Sequence, residues 1–515
     1  MSSRAAILSG PWSGRDWVAG LTLAALLVAG GAVRLQGVSE PIVAFHPLRH
    51  YRSALIARAC YYEATPSTPA WALAIARANR DIQQAGEPPV MEWMACSAYR
   101  VLGREELAVP RTLAILWWLV GSIATYLLGR RTISVEGGLL AATLHLFLPY
   151  SILATRTFQP DPLMTTCTAW ALLALVRWND HPNRRRLVTA ALLAGAALFV
   201  KPMSVFIVIP AMAVVVSRRA ELPSDRRSSG DVLAMLSLSL APSCLFYGSS
   251  LVFGRLAQDQ LGTRFVPSLL VTPFFWMGIA RQLRTVLGWV TVALAAVGTV
   301  VASDRLLRRL LVAIWIGYAI FAVAFTYHTA THDYYHLPFV PVAALAVAAA
   351  VDRLWSALRL RATTSLAVTC AICALMAWQG ESAAAPRLHR PDASALVADY
   401  QRIGEVTHHD GQIVFLDLEY GYPLMYHAEV AGDAWPGSDD LEAERLDGRP
   451  IRSASERLDT DYPRPRYFVV TDLSSLNAQA ELQALLAAKA TLVDVTAFHR
   501  VYRMSEPAPD SERDR

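Results

Sequence analysis

Leu310–Tyr327 reads LLVAIWIGYAIFAVAFTY and Leu337–Val351 reads LPFVPVAALAVAAAV, with His332-Asp333-Tyr334-Tyr335-His336 set between them. Runs of this kind approach the roughly 20 residues that cross a bilayer. Ionisable groups placed where such a helix begins are costly and as a rule functional. The arrangement recurs. Thr155-Arg156-Thr157-Phe158-Gln159-Pro160-Asp161 interrupts another pair of apolar runs, and Lys201-Pro202 splits a third. His46-Pro47-Leu48-Arg49-His50-Tyr51-Arg52 follows the first run. As a topology, these clusters fall on one side of a membrane, so the chain reads as a polytopic membrane enzyme with a polar site at one face.

Composition agrees. With 515 residues, 54% hydrophobic and 17% charged, the chain is too apolar for an ordinary soluble protein. Eleven spans are expected: Trp17–Val33, Leu113–Leu128, Gly137–Leu153, Pro162–Val176, Leu187–Val200, Met203–Val216, Val232–Phe253, Val286–Ala302, Leu310–Tyr327, Leu337–Val351 and Thr364–Trp378. The pair around Lys201 also fits a single kinked span. Arg130-Arg131, Arg184-Arg185-Arg186, Arg218-Arg219, Arg305 with Arg308-Arg309, and Arg353 with Arg359 and Arg361 occupy every second link. Arginine in short loops marks the cytoplasmic side, and Arg4 and Arg15 put the N-terminus there too. The first run lacks a small-residue cleavage site after it, so it reads as a retained anchor.

The net charge of +5 is spread over these membrane flanks and needs no nucleic acid to explain it. All but two basic residues are Arg, and Lys201 is the only lysine before the C-terminal region. Of the six cysteines, Cys167, Cys244, Cys370 and Cys373 lie in expected spans and Cys60 and Cys96 between the first two, and the C-terminal region has none, which excludes a disulfide framework there. Cys370-Ala371-Ile372-Cys373 has redox-motif spacing inside an apolar run and reads as packing. There is no phosphate-binding lysine loop, dinucleotide fingerprint or nucleophile elbow, which argues against a nucleotide-driven reaction.

Three parts emerge. The first link, about residues 36 to 112, is long and helically patterned. Leu48, Tyr51, Leu55, Ala59 and Tyr62 recur at helical spacing opposite Arg49, His50, Arg52 and Ser53. That helix is expected to lie in the interface with its apolar face in lipid. The bundle follows, giving a transmembrane domain of residues 1–380. From Glu381 the composition turns polar, and residues 381–515 form a second domain on the outer face. There, Gln412–Asp417 and Arg466–Thr471 read as buried strands, Ala478–Ala488 as an amphipathic helix, and Thr491–Tyr502 as further strands, a small α/β domain.

The polar clusters admit two readings each. Arg156 with Asp161 holds a phosphate or a metal, or closes a tight turn by a salt bridge. Lys201 neutralises a lipid-linked phosphate, or snorkels to the interface. His332 and His336, four apart on one helical face, suit a divalent metal, while hydrogen bonding by His332 and Asp333 to a sugar or phosphate serves equally. Tyr334 and Tyr335 suit stacking and anchoring. His46, Arg49, His50 and Arg52 beside Glu40 attract anionic headgroups, bind a phosphate leaving group or supply a base. Glu92, after Glu87-Pro88-Pro89, is a further candidate base.

Taken in order, these motifs resemble the GT-C membrane glycosyltransferases, specifically the bacterial family-39-like group of protein O-mannosyltransferases and the lipid A aminoarabinose transferase. The carriers are His46-Pro47-Leu48-Arg49-His50 with Ala57-Arg58, Pro88-Pro89 with Trp93, Arg111, Arg156 through Asp161, Lys201-Pro202 and His332-Asp333-Tyr334-Tyr335. Glu419-Tyr420-Gly421-Tyr422-Pro423-Leu424-Met425-Tyr426-His427 also looks like the corresponding segment of other members. The resemblance implies a mainly α fold, a polytopic GT-C helix bundle of about 11 spans with a small C-terminal soluble α/β domain, in a bacterial inner membrane. It implies transfer of a sugar from a polyprenyl-phosphate donor to a lipid, glycan or protein acceptor on the outer face. No cofactor is implied with certainty; a divalent metal is the alternative. In the family a carboxylate of the first outer loop is the general base. Here the residue before Phe45-His46 is Ala44, so Glu40 is the expected base, with His46 and Glu92 as substitutes. Arg49, Arg52, Arg58, Arg156, Asp161, Lys201, His332, Asp333, Tyr334 and Tyr335 are the expected substrate-binding residues. A flippase of lipid-linked sugars needs the same cations without a base, but should show an internal repeat, and none is apparent. An inactive envelope-assembly scaffold is the third reading.

Overall fold

The computed structural model describes residues 13–41, 45–83, 86–221, 229–252, 265–388, 393–446, 450, 452–462 and 464–505. Ala44 lies outside the described residues. The chain divides into two compact units. A membrane unit comprises Met1–Val38, Gln84–Met91 and Pro110–Arg390, and a second unit comprises Ser39–Gln83, Glu92–Val109 and Pro391–Arg515.

In chain order the described helices up to residue 252 are α1 Gly14–Leu35, α2 Pro47–Glu63, α3 Ala70–Ile82, α4 Val90–Leu102, α5 Ala108–Thr132, α6 Val135–Phe147, α7 Pro149–Ala154, α8 Asp161–Asp180, α9 Arg184–Val200, α10 Val205–Ala220 and α11 Ser229–Val252. Then come α12 Pro273–Val286, α13 Trp289–Val301, α14 Arg305–Ala324, α15 Thr326–Thr331, α16 Val340–Ala357 and α17 Ala362–Leu388. Beyond these lie α18 Ser394–Val406, β1 Ile413–Leu416, α19 Tyr422–Ala428, β2 Gly432–Ala434, α20 Ser438–Leu446, α21 Ala454–Asp461, β3 Tyr467–Val470, α22 Leu473–Ala478, α23 Ala480–Lys489, β4 Ala490–Val495 and β5 Arg500–Met504.

The membrane unit is a helix bundle. Among the described residues seven helices are long and apolar enough to cross a membrane, or eight if the pair α12–α13 is one span. That pair bends by 94° at Gly288, whose φ of 77° favours glycine. The expected run Val286–Ala302 therefore begins only at Trp289. Gly137–Leu153 is likewise not one helix: Pro149 separates α6 from α7, because proline cannot donate the bond that would continue α6. Pro162–Val176 and Leu187–Val200 lie within α8 and α9.

α6 sits at the centre, buried from Glu136 to Phe147 and packed on α1, α16 and α17. It is apolar nearly all round, as a fully enclosed helix must be. Its small residues let neighbours approach closely: a Cβ at Gly129 of α5 would lie 2.9 Å from the Gly138 Cα.

The two ends of the bundle differ in chemistry. At one end the arginine-rich links interlock. Arg130 pairs with Asp16 at 2.8 Å, Arg131 with Asp180 at 2.6 Å, and Arg309 with Glu221 at 2.8 Å. Ser134 caps α6 and donates to Asp352 at 2.6 Å. At the other end lie Arg34, Arg111, the Thr155–Asp161 turn, Lys201 and the His332–His336 run.

The second unit is α/β. Its five strands run β2-β1-β3-β5-β4, with β1 parallel to β2 and β3, and β5 antiparallel to β3 and β4. Helices α2 and α3, from the first link, pack with this region and not as a separate layer. Asn79 donates to the Val430 carbonyl at 2.9 Å, and the Tyr51 hydroxyl meets His427 Nε2 at 2.8 Å. The α2 helix is present as expected, but its apolar face does not lie in lipid: Tyr51, Leu55 and Ala59 are buried in protein. A disulfide between Cys60 and Cys96 ties α2 to α4.

Candidate functional site

Two local rules place the central ion pair. Asp161 opens α8, where a carboxylate suits the positive end of the helix dipole, and Pro162 follows it. Pro202 forces the residue before it out of the helical region, so Lys201 is extended (φ −157°, ψ 119°) and ends α9. Because α8 and α9 pack together, the start of one meets the end of the other. The Lys201 ammonium donates to both Asp161 carboxylate oxygens, at 3.0 and 3.1 Å. Both residues are 1% exposed.

Three further groups complete the cluster. Glu87 Oε1 lies 3.6 Å from Lys201 Nζ. The rings of Tyr334 and Tyr335, stacked on each other, stand 5.1 and 5.3 Å from that nitrogen, close enough for cation–π attraction. The ammonium thus answers two carboxylates and two aromatic rings. Nearby, the Tyr150 hydroxyl donates to Asp333 at 2.8 Å.

Asp161 takes Lys201 as its partner, so the alternative in which Arg156 closes the turn onto Asp161 is not what orders this turn. Arg156 instead donates to the Gln36 carbonyl beyond α1, and its own carbonyl accepts from Arg111 Nε at 3.1 Å. Arg34 Nε donates to Thr155 Oγ1 at 2.7 Å. The turn between α7 and α8 is therefore gripped by arginines from α1 and α5.

The histidine run departs from expectation. Asp333–Phe339 is a 3-10 helix, in which residues four apart do not align. His336 is buried, with Nε2 donating to the Thr329 carbonyl at 2.9 Å and Nδ1 at 2.9 Å from the Tyr318 hydroxyl. His332 bonds Thr331 at 2.7 Å and stacks on His328. The two imidazoles do not form a shared face. Among the described residues no three His, Cys, Asp or Glu side chains gather as a metal site would require.

The remaining candidates belong to the second unit. His46 caps α2 in a left-handed conformation (φ 51°), ahead of Pro47. Arg49 and Arg52 are half-buried on α2, and Arg52 Nε reaches Gln83 Oε1 at 3.3 Å, an oxygen that also accepts from Tyr422 at 2.9 Å. Glu40 is exposed. Glu92 is buried and accepts a 2.6 Å bond from Ser53. Arg58 is enclosed: it pairs with Glu105 at 2.9 Å, donates to the Tyr426 carbonyl at 2.7 Å and lies 3.8 Å over the Tyr426 ring. Tyr426 completes the knot by donating to Glu105 at 2.5 Å. Burial, with the Arg58 charge, drives the His427 imidazole down to about 3, so it stays neutral.

Sequence reading missed several of these partners. Glu87 was visible only as part of a Pro-Pro turn, and Tyr150 as one more residue of an apolar run. Glu105 carried no signal. Tyr426 and His427 did, through the Glu419–His427 motif, whose role is to hold α2.

The sequence pattern of the dolichyl-phosphate-mannose-protein mannosyltransferase family matches residues 86–242, a segment that holds Glu87, Glu92, Arg156, Asp161 and Lys201. Among solved structures, the chain is similar to ArnT from Cupriavidus metallidurans bound to undecaprenyl phosphate, with a TM-score of 0.61 and 14% identity over 95% of this chain and 98% of that one. It is similar to the oligosaccharyltransferase AglB from Archaeoglobus fulgidus in complex with an inhibitory peptide and a dolichol-phosphate, with a TM-score of 0.55 and 13% identity over 97% and 76%. The arabinofuranosyltransferase AftD from Mycobacteria gives a TM-score of 0.50 and 14% identity over 97% and 40%. No curated protein matches the sequence. At 14% and 13% identity, the likeness to ArnT and AglB shows a shared fold, and the family pattern lies within its helical part.

Proposed function

We propose that the protein transfers a sugar from a polyprenyl-phosphate donor to a lipid, glycan or protein hydroxyl on the outer face of a bacterial inner membrane. The observation that carries this reading is the buried Lys201–Asp161 pair under Tyr334 and Tyr335, inside the segment that matches the mannosyltransferase family. A fixed cation in a water-poor site stabilises a phosphate as it departs. Aromatic rings beside it suit the faces of a sugar. In the reaction the acceptor oxygen bonds to the anomeric carbon as the bond from that carbon to the phosphate oxygen breaks. The acceptor proton passes to a base, and the polyprenyl phosphate leaves with the electron pair. ArnT and AglB were solved with undecaprenyl phosphate and dolichol-phosphate, which supports the donor class.

Sidedness has its own support. Disulfides persist in oxidising compartments, and Cys60–Cys96 lies in the first link, packed in the same unit as the C-terminal α/β region. This supports our reading that residues 381–515 lie outside the cytoplasm. The arginine-rich end of the bundle then faces inward, as basic short loops do.

The base is the open assignment, and Glu40 is our first choice, ahead of Glu92 and His46. The buried bond from Ser53 occupies one Glu92 oxygen, whereas Glu40 is exposed. The test is transfer from radiolabelled polyprenyl-phosphate sugars by Glu40→Gln, Glu92→Gln and His46→Ala at saturating donor. Loss confined to Glu40→Gln is expected. Full rate in all three variants would rule out base assistance by these residues.

A further inference from the structure

The arginine-rich end of the membrane unit encloses a cavity of about 740 Å³ between α5, α6, α8 and α9. Arg15, Arg130, Arg131, Arg177 and Arg186 line it, and Asp180 is the one carboxylate among its described lining residues. Three of the five arginines have counter-charges: Arg15 has Glu136, Arg130 has Asp16, and Arg131 has Asp180 with Asp304. Arg177 and Arg186 are half-buried and, among the described residues, have no carboxylate within ion-pairing distance. Arg186 donates to two carbonyls, Arg177 O at 3.4 Å and His181 O at 3.1 Å. Two neighbouring guanidiniums, partly desolvated and without a counter-ion, are costly unless an anion joins them.

The cavity is separate from the Lys201 site. From Asp161 to Arg177 along α8 is 16 residues, or about 24 Å at the helical rise. α9 gives the same answer, with Arg186 near its start and Lys201 just past its end. One set of helices therefore carries a polar site at each end.

We propose that this cavity binds the phosphate group of an anionic phospholipid from the leaflet opposite the Lys201 site. Arg177 and Arg186 would take the phosphate oxygens, for which the guanidinium fork is suited. Trp170, Leu173 and Leu193 supply an apolar wall for the glycerol and upper acyl carbons. The wall separates this site from one built for a free anion, and basic pockets between membrane helices are known to take lipid headgroups.

The test uses the purified full chain in mild detergent, with native mass spectrometry after addition of phosphatidylglycerol or phosphatidylethanolamine. The expected result is preferential retention of phosphatidylglycerol. Arg177→Gln/Arg186→Gln should weaken it about 30-fold, near fivefold for each cation removed, and Arg177→Lys/Arg186→Lys should keep most of it. Leu193→Trp leaves both arginines in place but fills the apolar wall, and should weaken lipid retention as well, which covers the case in which the double variant folds poorly. A parallel arm adds inorganic phosphate. If phosphate binds and phosphatidylglycerol does not, the site takes a soluble anion and the lipid assignment falls. Equal retention of phosphatidylglycerol by wild type, the Gln double variant and Leu193→Trp, or no preference over phosphatidylethanolamine, would overturn the proposal.

Discussion

Lys201→Met separates what the central ion pair does for the fold from what it does for the reaction. The substitution removes the ammonium from a site where Lys201 and Asp161 are each 1% exposed and leaves the Asp161 and Glu87 carboxylates without the cation between them. Removing one partner of a buried pair costs about 3–5 kcal/mol, whereas replacing both by neutral groups of similar volume is close to neutral. Lys201→Met should therefore unfold at distinctly lower temperature, and Lys201→Met/Asp161→Asn should regain most of the loss. Turnover should behave differently. If the ammonium stabilises the departing phosphate, both variants lose about 100- to 1,000-fold, because a fixed donor has gone in each. The assay is transfer from a polyprenyl-phosphate sugar in proteoliposomes, beside thermal unfolding of the same preparations. A double variant that regains turnover together with stability would refute the leaving-group role and leave the pair purely structural. Wild-type stability in Lys201→Met would refute the desolvation argument itself.

Three further outcomes are expected. Replacing Cys60 and Cys96 by serine releases a cross-link spanning 36 positions, for which the chain-entropy relation gives about 4 kcal/mol; in intact cells, an impermeant maleimide should label these cysteines only after reduction. Burial pushes the Asp417 carboxyl from 3.8 up to about 7, helped by the nearby Asp472 and Glu419 charges and opposed by its bond from Thr471. An acid raised on folding makes the folded state bind more protons, so stability should fall as pH rises from about 4 to 7 and then level off; Asp417→Asn should flatten that slope and gain up to about 4 kcal/mol at pH 8, read by thermal unfolding across pH. A reporter active only outside the cytoplasm, fused after Glu381, should be active, and activity of a cytoplasm-only reporter at the same point would reverse the proposed sidedness.

The helical bundle was legible because hydrocarbon demands long apolar runs, and the alternation of arginine links located its two ends. Both strands of the parallel pair β1 and β3 were legible as buried apolar runs, and the α23–β4–β5 segment followed from its pattern. β2 was not: Gly432-Asp433-Ala434 has no apolar signature and is a strand only because β1 offers it an edge. The break at Gly288 was hidden inside a continuous apolar run. In the site, Lys201 and Asp161 stood out as charges in apolar surroundings, but their pairing depends on how α8 meets α9, 40 positions apart. The face of α2 was read correctly as apolar and assigned to the wrong solvent, because amphipathicity tells which side is buried and not what buries it. The Cys60–Cys96 bond was missed for a similar reason: its partners sit on separate helices.

The knot around Arg58 sets a problem of timing during synthesis. Arg58 donates to the carbonyl of Tyr426, 368 positions later in the chain. At about 5–20 residues per second, roughly 20 to 70 seconds pass between the two leaving the ribosome. Through that interval α2 has neither the ring nor the carbonyl that will enclose its guanidinium, and its apolar face lacks α19. Cys96 is only 36 positions from Cys60 and becomes available almost at once. The cross-link can therefore hold α2 against α4 as a provisional assembly, kept ready until the last quarter of the chain arrives to close over it.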